Sequence, residues 1–135
     1  QGLLGGKYKT ADDVPKHQAH SRHFQNFRGG DTSRHGEEGA EKEIFEVLNE
    51  LYKIAARLNL DAAQLSIAWI LKKPFMASTL VGSRNVDHLK MNIKACSLTI
   101  PDDVEALIDK ISLPVLEKLG NNPDYYEHSS KSRIR

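Results

Sequence analysis

From Glu41 the apolar residues Ile44, Val47, Leu48, Leu51, Ile54, Ala55 and Leu58 recur at steps of three and four. That period predicts an amphipathic helix of about five turns, with Lys and Glu on its other face. Asn59-Leu60-Asp61 interrupts the pattern, and Asp61 with Gln64 fits a capping box that starts a second helix. This helix, about Ala62 to Lys73, is apolar nearly all round, so it is expected between layers, with Trp69 as a packing residue. Pro74 ends it, leaving Lys72 and Lys73 at its negative end. The run from Phe75 to Val81, bounded by Pro74 and Gly82, reads as a buried parallel strand. Asn85 can cap a third helix, packing through Val86, Leu89 and Ile93. Pro101-Asp102-Asp103 opens a fourth, with Val104, Leu107, Ile108 and Ile111 on its core face.

Outside these elements the pattern fades. Gln1 to Tyr8 carries three glycines and a lysine and reads as a strand end entering a loop. Residues 9–40 are polar and without period, too long for an ordinary connection, and are expected to be mobile or a functional flap. The tail from Ser112 to Arg135 is turn-rich at Gly120-Asn121-Asn122-Pro123-Asp124 and ends in the basic Lys131-Ser132-Arg133-Ile134-Arg135. Helix, strand and helix in this order is the alternation of a parallel α/β sheet or barrel, although one or two strands cannot close one.

Composition narrows the function. A net charge of +1 with 27% charged residues lacks the basic excess of a nucleic-acid binder. The single cysteine, Cys96, cannot form an intramolecular disulfide; it fits a reducing compartment and a buried structural thiol. No apolar run reaches the ~20 residues of a membrane span, and no signal peptide is visible, so a soluble cytoplasmic protein is expected. The Gly-rich start at Gln1 reads as a piece of something larger. His17, His20, His23 and His35 are spaced by 3, 3 and 12, but no cysteine or acidic cluster completes a metal set. Solvated loop histidines are the favoured reading.

The segment Thr79 to Asn92 holds the most specific chemistry. A strand, a glycine turn and a helix start, with Arg84 on the turn, would aim backbone N–H groups and a guanidinium at one point, a recipe for holding phosphate. Gly82 and Ser83 would offer backbone N–H and hydroxyl groups to it. His88 and Asn92, four apart, share a helix face.

These motifs resemble the C-terminal part of an aldo-keto reductase, almost end to end. Gln1-Gly2-Leu3-Leu4-Gly5-Gly6-Lys7-Tyr8 is similar to the segment after the family's seventh strand. Asp61 to Leu71 resembles its Q-L-A-L-A-W helix, and Val81-Gly82-Ser83-Arg84 to Leu89 and Asn92 its adenosine 2′-phosphate site. The ending from Ser112-Leu113-Pro114 to Tyr125-Tyr126 is like that of several bacterial members.

The resemblance implies one domain over 1–135, the last strand or two of a (β/α)8 barrel with their helices. It implies NADPH as cofactor and reduction of a small-molecule aldehyde or ketone, with the family's tyrosine, lysine, aspartate and histidine contributed by another part of the barrel. Tyr8, Tyr52, Tyr125 and Tyr126 do not match that tyrosine. Arg84 matches the 2′-phosphate contact, Asn92 the adenine contact, and Lys7 with Gln1, Gly2 and Leu3 the pyrophosphate segment. Ser21-Arg22 matches a serine-arginine whose arginine closes over the cofactor in some members. His88 and Met91 depart from the usual Gln or Arg followed by Glu; His88 can still donate a hydrogen bond, and Met91 cannot replace a carboxylate. The rival expectation is a truncated or degenerate domain that binds nucleotide or a partner without catalysis.

Overall fold

The amphipathic segment is helix α1, Glu41–Arg57. Ile44, Leu48, Leu51, Ile54 and Ala55 are buried along one face, as their spacing predicts. It ends because Asn59 enters the left-handed region at φ 53°. The Leu60 N–H then donates to the Ala55 carbonyl at 2.9 Å, closing the last turn. Helix α2, Ala62–Leu71, starts where expected. The Asp61 N–H donates to Gln64 Oε1 at 3.2 Å. Leu65, Ile67 and Ala68 are buried. Helices α3, Val86–Ala95, and α4, Asp102–Leu119, complete the set in this computed structural model, which describes residues 2–132.

The expected α/β architecture is not found. Among the described residues there is no strand, only an isolated parallel bridge between Arg34 and Glu127, so the expected last strands of a (β/α)8 barrel are not formed in this structure. Residues 75–83 are irregular, with Phe75 exposed and Leu80 fully so. A strand exists only through pairing, and no second extended segment here offers the ladder that 75–81 needs. Val86, Leu89 and Ile93, expected to pack, are exposed.

The chain divides into two compact units. One comprises residues 8–49 and 111–132. Its loop, expected to be mobile or a flap, is a packed series of short 3-10 turns that buries Val14, Ala19, Phe24 and Ala40. Aperiodic sequence hides such packing, because each buried residue is fixed by its own turn rather than by a repeat. The φ of Gly39 is 78°, and a Cβ there would stand 2.0 Å from the Phe24 carbonyl oxygen. The turn-rich tail begins later than expected, since α4 continues past Pro114 to Leu119 and ends on Gly120 at φ 63°.

Arg22 joins loop to tail within this unit. It is 5% exposed. Its Nε donates to Glu37 Oε2 at 2.7 Å, and its terminal nitrogens donate to the Leu119 carbonyl at 2.7 Å and the Asn122 carbonyl at 3.2 Å. The Arg22 N–H donates to the Tyr125 carbonyl at 2.6 Å. His20 stacks on Tyr126 and His23 lies against Tyr125, with ring centroids 5.3 and 4.9 Å apart. Burial lowers the pKa of His23. The loop histidines are therefore not uniformly solvated, and His35 is fully buried.

The second unit comprises Gly2–Lys7 and Glu50–Lys110. There α2 packs against both α3 and the 3-10 turn Leu3–Gly5. Trp69 is more than packing: its Nε1 donates to Asp109 Oδ1 at 2.7 Å. Lys73 Nζ reaches Asp109 at 2.6 Å and Glu105 at 2.9 Å, while Lys72 reaches Asp102 at 2.5 Å and the Ile100 carbonyl at 2.9 Å. The lysines bring the end of α2 to the acidic start of α4.

Candidate functional site

The corner before α3 is built by two side chains that turn back on the chain. Asn85 is extended, and its Oδ1 accepts the His88 N–H at 2.8 Å, capping the helix as its residue type predicts. Asn92, two turns along, donates through Nδ2 to Ser83 Oγ at 2.9 Å. Between these anchors Arg84 is exposed and makes no hydrogen bond or ion pair with the described residues. Gly82 is exposed, and a Cβ built on it meets nothing within 4 Å. Its φ is not positive, so this position does not depend on glycine's conformational freedom.

Ser83 and Asn92 also line an open groove of about 430 Å³ with Ile67, Leu71, Leu89 and Ile93. Leu89, Asn92, Ile93 and Cys96 fall at steps of three and four, so one face of α3 continues into one wall of it. That spacing was available in the sequence as a sign of a shared face. What it could not reveal is that the face stays open. Cys96, expected as a buried thiol, is exposed at this wall, and its Sγ donates to the Asn92 carbonyl at 3.5 Å.

The glycine-rich segment also rests on α2. Gly2 has φ 77°, and the Lys7 Cε lies 3.3 Å from where a Gly2 Cβ would be, so the structure does bring Gly2 and Lys7 together. Leu3 is half-buried, and its carbonyl accepts from the Tyr52 hydroxyl at 3.4 Å. Burial raises the Tyr52 pKa. Gln1 lies outside the described residues, as do Arg133, Ile134 and Arg135 of the basic ending.

Arg22 belongs to the other unit, with its guanidinium engaged by Glu37, Leu119 and Asn122. His88 is exposed on α3, and its side chain is not part of the groove wall. Among the described residues no group of three or more His, Cys, Asp or Glu is disposed to hold a metal ion, and no helix is long and apolar enough to cross a membrane.

A model described as the aldo/keto reductase family matches residues 1–113. Protein tas of Escherichia coli (strain K12) is 43% identical over 58 residues, 43% of this chain and 17% of that protein. A putative voltage-gated potassium channel subunit beta of Schizosaccharomyces pombe is 27% identical over 118 residues, covering 87% of this chain and 30% of its own length. Aldo-keto reductase yakc [NADP(+)] of the same yeast is 28% identical over 102 residues, 76% of this chain and 27% of the relative. The chain thus spans less than a third of these relatives. No solved structure matches it significantly.

Proposed function

Because the chain belongs to the aldo/keto reductase family, we propose that it forms the cofactor-holding part of an NADPH-dependent oxidoreductase that reduces aldehydes or ketones to alcohols. The observation that carries this reading is Arg84, exposed and unpaired among the described residues, between two anchored neighbours at the start of a ten-residue helix. The donor set suits a phosphate monoester. Ser83 Oγ accepts from Asn92, which leaves its own O–H to donate. The guanidinium offers a planar fork that matches phosphate oxygens. Asp87 in the first turn opposes an anion there, so Arg84 must supply the dominant attraction.

In this reading the chain binds and orients. Bound NADPH supplies a hydride to a carbonyl carbon. Arg84 and Ser83 hold the 2′-phosphate, Gly82 leaves the backbone open to it, Asn92 and His88 face the adenosine, and Gly2, Leu3 and Lys7 approach the pyrophosphate. We assign no proton-donating role within the chain. Tyr8 donates to Gln18 Oε1 at 2.8 Å and Tyr52 to Leu3, while Tyr125 and Tyr126 lie against histidines.

The similarity over 118 residues to a protein named as a channel β subunit favours a second reading, a nucleotide-binding subunit without turnover. Calorimetry with NADPH and NADH tests the first. Arg84→Ala is expected to weaken NADPH by about tenfold or more, the worth of a charge-assisted hydrogen bond, with NADH changed less than about twofold. Equal losses for both cofactors would remove Arg84 from the role. Cofactor binding by the complete polypeptide without oxidation of NADPH by any carbonyl compound would favour the second reading.

A further inference from the structure

The buried imidazole of His35 occupies a position where an added proton has no acceptor. It is 0% exposed. Its Nδ1 accepts the Glu37 N–H at 3.1 Å, so the ring's own hydrogen sits on Nε2. Nε2 is buried and has no hydrogen-bond partner among the described residues. A second proton would have to enter at Nδ1 and face the Glu37 N–H, donor against donor. The charged groups that act on the ring are the Glu37 carboxylate, which favours charge, and the Arg22 guanidinium, which opposes it. Burial outweighs both and lowers the pKa.

The residues on either side of His35 fasten the tail. Arg34 Nε pairs with Glu127 Oε1 at 3.2 Å and forms the parallel bridge with the same residue. Glu37 holds the guanidinium of Arg22, which in turn holds the Leu119 and Asn122 carbonyls. The ring is therefore seated in the middle of the contact that binds loop to tail.

We propose that residues 34–37 form a pH-sensitive clasp: protonation of His35 expels its ring and releases the tail segment 119–127 from the loop. Released His35 takes up a proton at the ordinary imidazole value near 6.5, whereas the seated ring stays neutral. The closed state therefore weakens as pH falls below about 6.5, because the open state binds more protons.

The test is amide exchange of the full chain, corrected for intrinsic rates, at the Arg22 N–H, which bonds the Tyr125 carbonyl across the loop–tail contact. Protection is expected to fall about tenfold from about pH 7.5 to about pH 5.5, the uptake of one proton. His35→Asn keeps an acceptor for Glu37 without a titrating group, so its protection should be lower throughout but flat over that range. His23→Asn, beside the clasp, and Glu37→Gln, within it, serve as controls for titration of a group other than His35. A fall that survives in His35→Asn, or vanishes only in His23→Asn or Glu37→Gln, would overturn the proposal. So would an NMR titration of the His35 ring with an ordinary midpoint and no accompanying change at Arg22.

Discussion

Two arginines with similar sequence surroundings, each following a serine, have opposite fates. Arg84 is exposed, and Arg22 is buried with three side-chain bonds and two through its backbone. Nothing local in Ser21-Arg22 or Ser83-Arg84 distinguishes them; the difference lies in carbonyls nearly a hundred residues away, which no short motif reports. Removing Arg22 strands Glu37 and two carbonyls. Arg22→Met should therefore cost about 3 kcal/mol of unfolding free energy, read by urea denaturation. A cost below about 0.5 kcal/mol would show that these bonds form equally well with solvent. Gly39→Ala is expected to be worse tolerated than any exposed glycine change, because the Phe24 carbonyl and the positive φ both exclude a methyl group. A Gly39→Ala chain that melts like the parent would contradict the packing of the loop.

The four helices were legible because each carries its own evidence: a period of three and four in α1, a capping box before α2, Asn85 before α3, and acids opening α4. Asn85→Ala should cost about 1 kcal/mol, with the loss of helical shifts confined to the start of α3. Helix α4 runs through Pro114 to Leu119, inside the tail expected from Ser112, and the turn signal at Gly120 marks its true end. The expected strand is a different case. Phe75 to Val81 has the composition of a buried strand, but composition describes what a segment prefers when paired, and here it is not paired. The 9–40 loop gave no periodic signal, although Phe24, Ala40 and His35 are among its fully buried residues.

Each of the chain's two units is held together within itself by different means. The loop–tail unit relies on buried polar bonds around Arg22, and the other on α2 with a partly exposed network of Lys72, Lys73, Asp102, Glu105 and Asp109. Hydrogen bonds from the lysines hold all three carboxyl groups below their ordinary pKa values. The native state then binds fewer protons than the unfolded state, so this contribution is present above the ordinary values of 3.8 and 4.5 and is lost as pH falls through the lowered ones. Asp109→Asn should flatten that acid limb in equilibrium unfolding; an unchanged slope would exclude the network as its source.

The same α2 carries the glycine-rich segment and α3, two of the three stretches of chain that the family resemblance assigns to the cofactor, the third being Ser21-Arg22 in the other unit. An NMR titration with adenosine 2′,5′-bisphosphate against adenosine 5′-phosphate probes that assignment without requiring turnover. The 2′-phosphorylated nucleotide is expected to shift the Ser83, Arg84 and Asn92 resonances and to bind more tightly, with the advantage lost in Arg84→Ala. Equal binding of the two nucleotides, or shifts confined to residues outside 82–92, would contradict it.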